Sequence, residues 1–303
     1  MESGNLINVA MGFDANYSPH AASTIASIVR WTQSEGLRFV ILHPGIDKHI
    51  QRQVERVAPG ARFDWVTVDD GMIPEMDDRG HISRATLYRL GLETLAPVDC
   101  QRLLYLDSDL TVLDDIRKLW TQDLGGLPLG AVSDPGMDNG AFAAKLNLSQ
   151  QGSYFNAGVL LIDLEQVRAR HLLAQALAIQ IKHGADLPYS DQDALNWVFW
   201  TEWRHLDESW NVQRNMLIPE TEIERRHPIR ARDSAARIVH FTTHQKPWIK
   251  SGWHPWAWIY WDNLARTPFL PEVAQKQGVS VWNRLRMRVR WMRRKPHASA
   301  TSA

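Results

Sequence analysis

The chain has 303 residues, 44% of them hydrophobic and 22% charged, which suits a globular protein of one large domain or two small ones and excludes a disordered chain or a collagen-like repeat. Lys+Arg and Asp+Glu both total 34, yet from residue 279 onward there are seven Arg/Lys and no acid, leaving 27 basic against 34 acidic residues before it. An acidic body with a cationic tail favours an anionic surface as the tail's partner. Cys100 is the single cysteine, so an intrachain disulfide and a Cys-based zinc site are excluded and a reducing compartment is compatible.

The opening MESGNLINVAMGFDANY has neither a basic segment nor a long apolar run, so no signal peptide is expected there. No stretch reaches the roughly 18–20 apolar residues that span a bilayer. Residues 6–12 predict a buried strand, 19–35 a helix, 37–42 a strand, 47–57 a helix and 63–68 a strand. The Asp-, Gly-, Met- and Pro-rich stretch 69–80 reads as a loop; a helix over 82–95 and a strand over 102–106 follow. Further strands are expected at 129–133, 158–162 and 237–241, with helices at 164–183 and 191–200. Near-continuous apolar strands alternating with helices indicate a parallel sheet covered on both faces. The reading is one α/β domain over residues 1–266, with residues 267–303 as a basic, Trp-containing C-terminal tail.

Such sheets bind ligands beyond the carboxyl ends of their strands. Neither G-x-G-x-x-G nor a Walker A sequence is present, so a nucleotide must be held in another way. In LLYLDSDLTVL, Asp107 and Asp109 follow an apolar strand, and two carboxylates two residues apart can meet on one hard cation, Mg²⁺ or Mn²⁺. With 22 Asp in the chain, D-x-D arises by chance about once or twice, and Asp191 and Asp193 form a second one. Placement after the strand is therefore the informative part. In RIVHFTTHQKPW, His240 ends a strand and offers a nitrogen ligand, which leans the metal toward Mn²⁺; Lys246 can neutralise a phosphate. Taken alone, His240 also suits a satisfied core histidine, and Lys246 a solvated one. Asp14, Asn16 and Tyr17 suit hydrogen bonds to a base and ribose with an aromatic face, or an Asx-type turn opening a helix. Asn156 suits a turn into a strand, and Asp191 to Asp193 a helix N-terminus whose acids favour the dipole.

Six stretches in order carry a resemblance: DANY (14–17), HISRATLYRL (81–90), LLYLDSDLTV (103–112), YFNAGVLLIDL (154–164), SDQDALN (190–196) and HQKPW (244–248). Over about four-fifths of its length the chain resembles the family-eight retaining glycosyltransferases, and most closely the bacterial lipopolysaccharide and lipo-oligosaccharide α-galactosyl- or glucosyltransferases. The resemblance implies a nucleotide-diphospho-sugar transferase fold: a Rossmann-like, mixed but mostly parallel sheet with helices on both faces. It implies transfer of a hexose, galactose preferred and glucose the alternative, from a UDP-sugar to a hydroxyl of a glycan or glycolipid such as lipopolysaccharide. It also implies that Asp107, Asp109 and His240 ligate Mn²⁺, with Mg²⁺ as the alternative. Asp14, Asn16 and Tyr17 would hold uracil and ribose, Ser108 would contact the nucleotide-sugar, and Lys246 the β-phosphate. Arg89, Asp134, Asn156, Asp191 and Gln192 would line the sugar pocket, with Gln192, Asp191 and Asp134 nearest the chemistry. One departure is that a small Gly is usual where this chain has Thr243 or His244.

The basic segment 279–296 interleaves Arg with Trp, Met and Val, which suits an anionic membrane interface; its periodicity fits both a helix and a strand. RNA is the lesser alternative for it, and no nucleic-acid partner is expected. The expected place is the cytoplasm, peripheral on the inner face of a membrane. Two rival functions are a haloacid-dehalogenase-type phosphatase using Asp107 as nucleophile and a non-catalytic nucleotide-sugar-binding protein.

Overall fold

A computed structural model describes residues 6–69, 71–72, 84–217, 236–249 and 254–293. Its centre is a seven-stranded sheet in the order β3-β2-β1-β4-β7-β6-β8. The strands are β1 (Ile7–Gly12), β2 (Leu37–His43), β3 (Arg62–Thr67), β4 (Arg102–Leu106), β6 (Leu129–Ser133), β7 (Phe155–Asp163) and β8 (Trp203–His205). A second sheet pairs β5 (Leu110–Val112) with β10 (Ile238–His240) and β10 with β9 (Val212–Gln213).

β1 pairs in parallel with β2 and β4, as does β2 with β3 and β6 with β8, whereas β7 runs antiparallel to both β4 and β6. The sheet is thus mixed but mostly parallel, as the resemblance implies, although the strand–helix alternation by itself indicated only a parallel one. The physical reason is that FNAGVLLID is buried on both faces, and such a run reads the same in either direction. Period-two alternation sorts side chains between two cores. Val9, Met11, Leu104 and Leu106 face the layer containing α1 (Ser18–Val29), while Ala10, Leu103 and Tyr105 face the layer containing α2 (Leu172–His183) and α3 (Asp191–Phe199). Each fully buried Leu, Val or Phe contributes about 1.5–3 kcal/mol.

Several boundaries differ from expectation. The helix expected over 82–95 is a 3-10 helix, Arg84–Gly91, passing into a short α-helix, Leu92–Leu95; residues 81–83 and most of 69–80 lie outside the described residues. The expected helix 164–183 is split into Leu164–Arg170 and α2, because His171 adopts φ +53 and ends the first of the two. At the other end, the segment after Thr267 is not detached from the body, since Phe269, Val273 and Val279 are buried in the α1-side core. The basic tail then forms a helix, Val281–Arg293, with Met287 packed inward. Among the described residues no helix is long and apolar enough to cross a membrane.

Helix α1 is the element that sets the site. Its sequence SPHAASTIASIV is small and weakly polar, and eleven of its twelve residues are buried. Thr24 Oγ1 lies 2.9 Å from the carbonyls of Ser108 and Leu110, and Ser27 Oγ accepts from the Val112 N–H at 2.8 Å. The turn from β4 to β5, which carries Asp107 and Asp109, is thus tied to a buried helix rather than left to solvent.

Candidate active site

Asp107 is one residue past β4, and its N–H still donates to the Gly158 carbonyl at 2.9 Å, so the ladder fixes its backbone. Asp109 precedes β5, and His240 ends β10, where it pairs with Leu110. Sequence-distant carboxylates and imidazole are thereby brought to one point. Ligand atoms of Asp107, Asp109 and His240 lie within 4.8 Å of one another, the cluster of metal-ligating type found among the described residues. His240 Nε2 is 3.3 Å from Asp109 Oδ1 and 3.7 Å from Asp107 Oδ2. Two hard oxygens and one imidazole nitrogen at this spacing fit a divalent ion of the Mn²⁺ or Mg²⁺ type.

The packing around the triad supports that fit. A Cβ on Gly158 would lie 2.2 Å from His240 Cε1 and 2.8 Å from Asp107 Oδ2, so only glycine leaves room for both side chains. Lys246 Nζ sits 2.5 Å from Asp109 Oδ2 and 2.7 Å from the Phe241 carbonyl. Burial would raise the Asp109 carboxyl, but Lys246 and His240 outweigh it and hold the group below the usual carboxylate range.

A buried guanidinium organises the other side. Arg89 Nη2 is 3.1 Å from Asp107 Oδ1, its Nε is 2.7 Å from Asp191 Oδ2, and its charge lies over the Tyr105 ring at 4.7 Å. Burial alone would depress its pKa, but Asp107 and Asp191 raise it, so the cation is secure. The Tyr105 hydroxyl donates to Asp107 Oδ1 at 3.0 Å. One guanidinium serving two acids under-compensates Asp191: burial, with repulsion from Asp107, pushes its carboxyl up to about 6 against the pull of Arg89.

Asp134 is held by two amides, accepting from Asn156 Nδ2 at 3.3 Å and Gln192 Nε2 at 3.2 Å, and burial raises its carboxyl against these donors. Gln192 Oε1 in turn accepts from the Ala157 N–H at 3.0 Å. Both ends of the Gln192 amide are therefore engaged.

The second D-x-D divides. Asp191 faces the site, whereas Asp193 accepts from the Tyr154 hydroxyl at 2.5 Å and the Tyr189 N–H at 2.8 Å. Ser190, just before them, adopts φ +52. Thr243, where the resemblance leads one to expect glycine nearby, adopts φ +73, a conformation that costs a β-branched residue roughly 1–2 kcal/mol.

A cleft of about 410 Å³ opens over this constellation, bordered by Arg89, Asp107, Asp109, Asp134, Asn156, Asp191, Gln192, His240 and Lys246. Next to it, a narrower cavity of about 70 Å³ is bordered by Tyr17, Ser108, Asp107, Asp109 and Lys246. The Tyr17 ring meets Trp248 edge-on at 6.0 Å, and burial, followed by Asp109, Asp14 and Asp107, raises its hydroxyl. Asp14 and Asn16 border neither cavity. Asp14 Oδ1 accepts from the Tyr17 N–H at 2.9 Å, as an Asx-type turn requires, and Asn16 is exposed.

Sequence reasoning passed over Gly158, Tyr105 and Asn211, which touch the triad. Gly158 carried a signal, a glycine inside an otherwise apolar strand, which marks a close approach. Asn211 carried none.

General stress protein A of Bacillus subtilis (strain 168) is 27% identical over 277 residues, spanning 88% of this chain and 96% of that protein. A lipopolysaccharide 1,2-glucosyltransferase of Escherichia coli (strain K12) is 25% identical over 272 residues, spanning 89% of this chain and 80% of that one. Among solved structures, the galactosyltransferase LgtC in complex with donor and acceptor sugar analogs superposes with TM-score 0.73 at 23% identity, covering 89% of this chain and all of that one, which shows a shared fold. The family model described as glycosyl transferase family 8 matches residues 8–252, and this chain belongs to that family.

Proposed function

We propose that the protein is a retaining, UDP-sugar-dependent hexosyltransferase that places a hexose, galactose by preference and glucose as the alternative, on a hydroxyl of a glycan or glycolipid of the lipopolysaccharide type. One observation carries this reading: Asp107, Asp109 and His240 converge beside Lys246 at the floor of a cleft large enough for a sugar. In it, Asp107, Asp109 and His240 would hold Mn²⁺, with Mg²⁺ as the substitute, and such an ion would supply charge stabilisation for a diphosphate leaving group.

The chain's own residues do the rest. Breaking the anomeric bond leaves negative charge on UDP, and Lys246 is placed to exchange Asp109 for a phosphate oxygen as that charge develops. Tyr17 and Ser108 border the nucleotide end, and Asp14 acts by shaping the turn that presents Tyr17, with Asn16 on the exposed side of that turn. Arg89, Asp134, Asn156, Asp191 and Gln192 hold the sugar. Gln192 is an amide fixed at both ends, so it orients rather than attacks; this favours attack by the acceptor on the face UDP leaves. Asp107 already shares Arg89 and bears on the triad, which disfavours the phosphatase alternative, as does the family match.

In this reading residues 1–266 form the catalytic unit and residues 267–303 an appendage rooted in its core. Its helix Val281–Arg293 exposes Val281, Trp282 and Leu285 at 64, 72 and 50% beside Arg284, Arg286, Arg288 and Arg290. Apolar and cationic side chains together suit docking to an anionic membrane, peripheral and on the cytoplasmic side.

The test is UDP release from a panel of UDP-sugars without acceptor, in Mn²⁺ and then in EDTA. Slow release from one UDP-hexose, lost with EDTA, is expected. No release and no UDP binding, with phosphate freed from a phosphomonoester, would overturn the reading.

A further inference from the structure

A line of three hydrogen bonds runs from the backbone of β7 to the ring of His240 through two buried amides, Asn156 and Asn211. The Gly158 N–H donates to Asn156 Oδ1 at 3.1 Å. A backbone N–H can only donate, so the Asn156 atom facing it is its oxygen. Asn156 Nδ2 points the other way, to Asp134 Oδ2 at 3.3 Å, in agreement. The same Asn156 oxygen lies 2.9 Å from Asn211, which must therefore present Nδ2 to it. Asn211 Oδ1 is then the atom 3.1 Å from His240 Nδ1. An amide oxygen accepts, so Nδ1 carries the ring proton. Whenever the ring is neutral, Nε2 is therefore the lone-pair nitrogen, and it is Nε2 that faces Asp109 and Asp107.

We infer that Asn211 is a positioning residue that locks His240 in the Nδ1–H tautomer, the form able to ligate a divalent cation through Nε2. This rests on the reading of Asp107, Asp109 and His240 as the cation's ligands. The chemistry is that of an outer-shell partner, which fixes a ligating ring's tautomer and orientation. Three features separate this from an amide that merely fills the core. Both ends of Asn211 are used in a single line between a backbone donor and a candidate ligand. Asn211 is wholly buried, so water does not substitute for it. It also ends the 3-10 turn Glu208–Asn211 and leads into β9, which pairs with β10, so the backbone holds it in register with His240. Because the line starts at Gly158, whose missing side chain makes room for the ring, one residue of β7 sets both the space for His240 and its protonation pattern.

The experiment is two-bond ¹H–¹⁵N correlation on the full-length, metal-free protein, at a pH high enough for the His240 ring to be neutral, with the His240 signals assigned by their loss in His240→Gln. Mn²⁺ affinity is measured by titration calorimetry on wild type, Asn211→Leu and Asn211→Asp. Wild-type His240 should show the Nδ1–H pattern. Asn211→Leu should give the Nε2–H form or a mixture, with Mn²⁺ affinity reduced about 10- to 100-fold. Asn211→Asp keeps an acceptor opposite Nδ1 and should keep the tautomer. An Nε2–H pattern in the wild type overturns the inference without any variant having to fold. So does an unchanged tautomer in Asn211→Leu, whether or not affinity falls. If wild type binds no Mn²⁺, the ligand reading fails separately, while the tautomer measurement still decides the role of Asn211.

Discussion

Lys246 Nζ and Asp109 Oδ2 stand 2.5 Å apart, so a lysine already answers one of the carboxylates that the reading assigns to a cation. The pair is mostly buried, and its two charges are compensated inside the protein in the absence of any ion. In the proposed function, donor binding moves the ammonium from Asp109 toward a phosphate.

Lys246→Met should therefore split two affinities that an ordinary site mutation would lower together. Mn²⁺ binding without nucleotide is expected to hold or tighten, because a competitor for Asp109 is gone. UDP affinity and UDP-sugar turnover should fall by about 10²-fold or more, the loss typical for a charge aimed at a leaving group. Calorimetric titration of Mn²⁺ with and without UDP checks both.

Gly158→Ala puts a carbon where His240 and Asp107 need space. The expected outcome is a folded protein, destabilised by about 1–3 kcal/mol in urea, whose Mn²⁺ binding and metal-dependent UDP release are lost. Urea unfolding and a metal titration on the same preparation would show the two effects side by side.

Asp191 makes stability pH-dependent in a stated direction. Its native carboxyl is raised from 3.8 to about 6, so the native state favours the proton more than the unfolded chain does. That contribution is fully present below about pH 4 and is lost as pH rises through about 6. Asp191→Asn has no proton to lose. The stability of the variant relative to wild type should grow from pH 4 to pH 6.5, by roughly 1–3 kcal/mol, as read from urea midpoints.

The tail prediction concerns location rather than chemistry. Removing residues 281–303 spares Val279, which belongs to the core. The shortened protein is expected to leave anionic vesicles in a sedimentation assay while keeping its acceptor-free UDP release. Trp282→Ala with Leu285→Ser should weaken vesicle binding in the same direction.

Much of the architecture was legible because two-sided burial leaves continuous apolar strands: β4 and β6 fall where the pattern placed them. Strand direction was not legible, since β7 is equally apolar read either way. Short strands such as β5, β8 and β9 were missed because two or three residues carry no periodicity. The break at His171 was hidden because a positive φ at a non-glycine residue leaves no mark in composition. In the site, Asp107, Asp109, His240 and Lys246 each had a bland structural reading in the sequence, and only their order along the chain with the other motifs marked them as candidates. Asn211 and Tyr105 carried no such mark, because an amide and a phenol gain meaning only from what the fold sets opposite them.

The pairing of β10 with β5 has a consequence for how the protein comes into being. Asp107 and Asp109 are synthesised long before His240, and the strand that carries His240 is, among the described residues, the last of either sheet to be synthesised. A nascent or prematurely ended chain that stops short of His240 contains all seven strands of the large sheet and still lacks the third member of the triad. In the proposed reading, the capacity to grip a cation through all three groups arrives late and all at once, when the small sheet closes.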